Sequence, residues 1–155
     1  MGLFKRTAAC LVGMALLFST AAAETTLHFT FAGDCTLGSE EAKRKQATSF
    51  DSVITEKGYD WPFANMQELF QNDDLTVVNL EGVLSDSNRN ENKDKTYRFR
   101  GPTAFVDILT RSGIEAVNLA NNHTQDFGKQ GYTATQETLA AAGVGYFGSR
   151  SVYIF

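Results

Sequence analysis

Three short apolar runs, Leu27 to Ala32, Leu75 to Leu80 and Ile114 to Leu119, each break off at a polar cluster, with helix-like stretches between them. The first, L-H-F-T-F-A, is rich in aromatic and β-favouring residues and reads as a strand that ends at Gly33. The second, L-T-V-V-N-L, has the β-branched density of a buried parallel strand, and the third, I-E-A-V-N-L, reads as the next strand. Further along, Tyr97 to Arg100 and Val144 to Phe147 are predicted as short strands.

The intervening segments carry helical signals. The charged stretch from Ser39 to Gly58 reads as helical in part, and after Pro62 the spacing puts Phe63, Met66, Leu69 and Phe70 on one helical face, stopped by Asn72, Asp73 and Asp74. Pro102 suits a helix start, Phe105, Val106, Ile108 and Leu109 supply an apolar stripe up to Ser112, and Gly113 caps it. A last helix is predicted from about Gly131 to Ala142, closing at Gly143. Alternating strands and helices imply an α/β architecture with largely parallel strands and right-handed crossovers, in which ligands collect beyond the carboxyl ends of the strands. The clusters Gly33-Asp34, Asn79-Glu81 and Asn121-Asn122-His123 are therefore expected at one edge of the sheet, although far apart in sequence.

At the N-terminus, Lys5 and Arg6 precede an apolar run from Ala8 to Phe18 and then Ala21, Ala22 and Ala23. This order reads as a secretory signal over residues 1–23, cleaved before Glu24, and the apolar run is shorter than the roughly 20 residues that span a bilayer. The expected location is outside the cytoplasm: periplasmic, cell-surface or extracellular. Residues 24–155 then suit one domain. The net charge of −4, from 14 basic and 18 acidic residues without a basic stripe, argues against nucleic acid as a partner. Cys35 is the single cysteine after the signal, which rules out an intramolecular disulfide in the mature chain and reads as a buried thiol.

Other residues receive plainer readings. The stretch Ser85 to Lys95, S-D-S-N-R-N-E-N-K-D-K, contains no apolar side chain and is expected to be a solvated loop without chemistry. His28 is expected to be structural, and Tyr59, Trp61 and Phe63 to pack in the core.

Two carboxylates, two or three carboxamides and an imidazole at one sheet edge are suited to a divalent metal such as Mn, Fe or Zn. In a metal-assisted phosphoesterase the ion acidifies a water and neutralises phosphate oxygens, while a histidine gives a proton to the leaving group. His123 is the candidate donor. The competing explanation for Asp34 and Glu81 is local turn and cap chemistry at strand ends.

The motifs Gly33-Asp34 after a strand, V-V-N-L-E-G over Val77 to Gly82, and N-L-A-N-N-H-T-Q-D-F-G over Asn118 to Gly128 together resemble the CapA-type poly-gamma-glutamate capsule biosynthesis proteins. The resemblance runs from about Leu27 to Gly148. It implies the calcineurin-like metallophosphoesterase fold, here a partial β-sandwich flanked by helices and forming the N-terminal part of such a domain. It also implies Asp34, Asn79, Glu81 and Asn122 as metal ligands, His123 as proton donor and Asp126 as the group that orients its ring or caps the following helix. The implied partners are an anionic envelope polymer or a phosphoester substrate, together with capsule-machinery proteins.

Departures from that family pattern accompany the matches. The first-strand D-x-H of metallophosphoesterases is here Asp34, Cys35 and Thr36; the second-strand G-D is N-L-E; and a late G-x-H-x-H element is absent from this sequence, whose last residues, S-V-Y-I-F, read as the start of another strand. The chain reads as truncated and, alone, as a poor catalyst. Three functions stay open at this level: a metal-dependent phosphoesterase-like hydrolase or transferase, a non-catalytic binding or assembly component of polymer export, and an inactive fragment.

Overall fold

In the computed structural model, residues 25–148 are described. The proposed signal segment and the terminal S-V-Y-I-F run lie outside them. Among the described residues seven strands and four α-helices alternate in the α/β manner expected, consistent with part of a metallophosphoesterase-like domain.

The main sheet has the order β1-β3-β6-β7 and consists of β1 (Phe29–Cys35), β3 (Leu75–Leu80), β6 (Ala116–Asn118) and β7 (Gly145–Phe147), all parallel. Parallel neighbours require a crossover, and the helices supply it: α1 (Phe50–Lys57) and α2 (Gln67–Gln71) between β1 and β3, α3 (Val106–Ser112) before β6, and α4 (Gly128–Ala141) before β7. A smaller sheet, β2-β5-β4, pairs β5 (Phe99–Gly101) antiparallel to β2 (Ser39–Glu40) and parallel to β4 (Val83–Leu84). The sequence signals did not reveal β2 or β4, because two-residue strands carry no periodicity.

Side chains alternate across the main sheet. Val78, Leu80, Val117 and Tyr146 face one way and form a single core with Ile54, Phe70, Ile108, Leu109 and Leu139 from the helices. Burying an aliphatic side chain of this kind stabilises by about 1.5–3 kcal/mol. The opposite face begins with Phe29 and Phe31 on the edge strand, exposed by 54% and 74%, in register with Leu75 and Val77. It ends in a polar row of Asp34, Asn79 and Asn118.

Several sequence expectations shift. β1 runs through Gly33-Asp34 instead of stopping before it, accommodated by a register irregularity between Phe31 and Asp34. The expected helical face over 63–70 divides: α2 is a single short stretch, with Phe70 buried and Phe63 packed on the core while Met66 and Leu69 are exposed. Tyr59 packs against the core as expected, whereas Trp61 is half exposed. α3 follows a 3-10 turn at Thr103–Phe105 after Pro102 and closes on Gly113 in the left-handed region (φ 77°), which favours glycine because it has no Cβ. α4 starts at Gly128, earlier than expected. His28 bonds through its backbone to Asp74, in both directions, at the start of β1. Among the described residues no helix is long and apolar enough to cross a membrane.

Candidate functional site at the carboxyl ends of the strands

β1, β3 and β6 end side by side, and the polar residues at their ends meet there. Asn79 Nδ2 donates to Asp34 Oδ1 at 2.7 Å across 45 residues of sequence. Asn79 Oδ1 in turn accepts from Asn118 Nδ2 at 3.1 Å and from Asn121 Nδ2 at 3.0 Å. Asn121 Nδ2 also donates to the Leu80 carbonyl at 2.9 Å. A ladder of carboxamides ending in one carboxylate thus crosses three strands. Glu81 follows directly on β3, its amide donating to the Cys35 carbonyl at 3.1 Å. Gly82, at φ 126°, then turns the chain toward β4, a backbone conformation that a side chain would strain.

The turn after β6 is built by its own polar residues, as Asn and Thr favour. Asn121 Oδ1 accepts from the His123 amide at 2.9 Å, and Thr124 Oγ1 donates to the Leu119 carbonyl at 2.5 Å. The His123 ring is thereby turned inward. Its Nδ1 lies 2.7 Å from Asp126 Oδ2 and its Nε2 lies 3.6 Å from Glu81 Oε1, while the Phe99 ring packs on it at a centroid distance of 4.7 Å.

Asp126 has no exposed surface. Its Oδ2 also accepts from the Phe99 amide at 2.8 Å, and its Oδ1 accepts from Lys95 Nζ. An ionised carboxylate only accepts, so Nδ1 is the donor in the bond to Asp126, and Nε2 is the ring nitrogen that faces Glu81.

Of the residues singled out in the sequence, Asp34 and Asn79 are in direct contact, and Glu81, His123 and Asp126 form a second contact chain. Asn122 belongs to neither through its side chain. It is exposed beside a cavity of about 770 Å³ that Asn121, Gln125, Tyr132 and Gly148 help to line. Asn121 is the carboxamide of that pair that enters the ladder. Sequence reasoning missed Asn118, Phe99 and Lys95. Asn118 occupies the place in V-N-L of β6 that Asn79 occupies in V-N-L of β3, a parallel that the sequence carries openly. Lys95 ends the stretch read as a solvated loop without chemistry. The loop is solvated as expected, most of its residues being exposed, but it is also anchored: besides Lys95, the Asn92 amide donates to the Asp126 carbonyl at 2.8 Å and Asn90 Nδ2 to Gln130 Oε1 at 2.9 Å. A segment with no apolar residue is here held by polar contacts alone.

Of the four residues expected to hold a metal, Asp34 and Asn79 are in direct contact, Glu81 follows directly on β3, and Asn122 is exposed. Among the described residues, no three His, Cys, Asp or Glu side chains are grouped as one ion needs. The Asn79 carbonyl oxygen already accepts two amide donors. Cys35 is buried as expected, and that burial pushes its thiol up to about 12.

Comparison with known proteins places this geometry in context. The chain is 26% identical to the capsule biosynthesis protein CapA of Bacillus anthracis over 99 residues, 63% of this chain and 24% of that protein. It is 26% identical to the PGA biosynthesis protein CapA of Bacillus subtilis (strain 168) over 128 residues, 79% of this chain and 31% of that protein. A protein of Mycobacterium tuberculosis (strain CDC 1551 / Oshkosh) named "Probable polyglutamine synthesis accessory protein" is 34% identical over 87 residues, 54% of this chain and 22% of that protein. The chain therefore spans between about a fifth and a third of the length of these curated relatives. The family model described as "Bacterial capsule synthesis protein PGA_cap" matches residues 28–152, a range that holds every strand of the described residues, the amide ladder and the His123 turn, and the chain belongs to that family.

Proposed function

We propose that this chain is part of an exported accessory protein of polyglutamate capsule synthesis, and that the rim of its main sheet is an acid–base site for a phosphoester or an anionic envelope polymer. The observation that carries this reading is the Glu81–His123–Asp126 chain beside the Asp34–Asn79 pair at the ends of adjacent strands. The names of the relatives, which speak of capsule and polyglutamine synthesis, supply the polymer.

In this reading His123 moves a proton at Nε2, the nitrogen that Asp126 leaves free, and Asp126 fixes the ring. Glu81, on the far side of Nε2, steadies the charged imidazole. Release of p-nitrophenol from a phosphodiester mimic, measured with and without added Mn or Zn, tests the enzyme reading. Turnover that disappears in His123→Ala supports it.

The amide ladder favours a second reading, in which the rim binds polymer without turnover. Carboxamides engaged with one another make a rigid polar surface and no nucleophile. Retention of poly-gamma-glutamate with no p-nitrophenol released, and no loss of retention in His123→Ala, would select it.

A further inference from the structure

We propose that Lys95 is a positioning residue of the His123 site: its ammonium fixes both the Asp126 carboxylate and the main chain before His123, and so holds the ring with Nδ1 on Asp126 and Nε2 toward Glu81.

Lys95 Nζ donates to Asp126 Oδ1 and to the Asn122 carbonyl, the latter at 2.5 Å. With Oδ1 on Lys95 and Oδ2 shared by the Phe99 amide and His123 Nδ1, the carboxylate cannot rotate without losing a charge-assisted bond. A lysine that merely neutralised Asp126 would have no need of the Asn122 carbonyl, which is the peptide group joined to His123 itself. The loop that delivers Lys95 is braced for it. Arg98 Nη1 donates to the Lys95 carbonyl at 2.6 Å, Arg98 is paired with Glu91 at 2.8 Å, and the Asn92 amide is tied to the Asp126 carbonyl. Four residues on, Phe99 packs at a tilt against the ring that Lys95 indirectly holds. Loop, carboxylate and ring therefore form one unit, assembled from segments some thirty residues apart; the Lys95–Asp126 separation is 31.

The test is nitrogen-15 NMR of the His123 ring in the full chain. The wild-type ring is expected as the Nδ1–H tautomer with clear NOEs to Phe99. In Lys95→Met the two ring nitrogens move toward the averaged signals of a freely exchanging imidazole and the NOEs to Phe99 are lost, whereas Lys95→Arg keeps both. A Lys95→Met chain whose ring signals superimpose on those of wild type overturns the proposal. If Lys95→Met does not fold, the wild-type protein decides: Lys95 ammonium protons that exchange with water as fast as those of exposed Lys129 overturn it, and slowed exchange supports it. Lys95's role rests on His123 being the acid–base group of the proposed site. Because the readout is ring geometry and not turnover, a chain without activity can still pass this test, and an active chain can still fail it.

Discussion

Asn79 gives its amide to Asp34 at 2.7 Å while its carbonyl oxygen receives Asn118 and Asn121, so one neutral side chain links the ends of β1, β3 and β6. In Asn79→Asp the donor facing Asp34 becomes a second carboxylate at hydrogen-bond distance. Like charges so placed repel, and either a proton or a cation must relieve them. In the presence of a chelator the variant is expected to lose about 1 kcal/mol of stability. It is also expected to gain Mn or Zn binding that is weak or absent in the wild type, as read by titration calorimetry. Wild-type melting should not respond to the chelator. Equal metal binding by both chains would refute this.

Asp126 joins the Lys95 ammonium, the Phe99 amide and the His123 ring at a position with no exposed surface. Asp126→Ala leaves the part-buried Phe99 amide unpaired and an ion pair broken, at a cost of about 3 kcal/mol. Urea unfolding should show it. A loss under about 0.5 kcal/mol, the range of ordinary surface changes, would mean that the network carries no stability.

Cys35 should resist alkylation in the native protein at pH 8, since its thiol ionises only near 12. Between its ordinary value of 9.0 and 12 the unfolded chain releases a proton that the folded chain retains. The contribution is therefore whole below pH 9 and lost as pH rises toward 12. Cys35→Ala should flatten the alkaline limb of the stability curve, and peptide mapping after iodoacetamide should find Cys35 unmodified until the protein is denatured.

Asp86 answers to the opposite end of the pH scale. The Thr103 hydroxyl and then the Thr103 amide, at 2.6 and 3.0 Å, hold its carboxylate below the usual range. Its stabilising effect is present above the ordinary carboxylate pKa and fades as pH falls through the lowered one. Asp86→Asn is expected to reduce the acid sensitivity of melting slightly, an effect kept small by solvent exposure. An unchanged pH profile would count against these bonds.

Phe31 is 74% exposed on the edge strand, so Phe31→Ser should shift stability by less than about 0.5 kcal/mol and lower the tendency to associate. Light scattering during thermal ramps checks it. By contrast Leu109→Ala, at a position with no exposure, should cost about 3 kcal/mol.

The strand ends were legible in the sequence because V-V-N-L and A-V-N-L carry the β-branched run and its polar terminus together. That was enough to bring Asp34 to Asn79 and Glu81 to His123. The division between Asn121 and Asn122 was not legible. Neighbouring asparagines differ only in which way the turn sends them, and Thr124 and the His123 amide settle that in space. Lys95 was hidden for another reason: composition identifies a segment that cannot build a core, and says nothing of whether its charges find buried partners elsewhere. Met66 and Leu69 were misread because the helix around them is only Gln67–Gln71, too short to sustain a face.

Val78 and Asn79 are adjacent on β3 and serve opposite faces, one in the core and the other in the amide ladder. A slip of β3 by a single residue would drive a carboxamide into hydrocarbon and set a valine among the polar groups at the rim. Hydrophobic packing and site chemistry therefore penalise the same error. A misaligned sheet would forfeit both at once, and the native alignment is enforced from two sides by a single pair of neighbours.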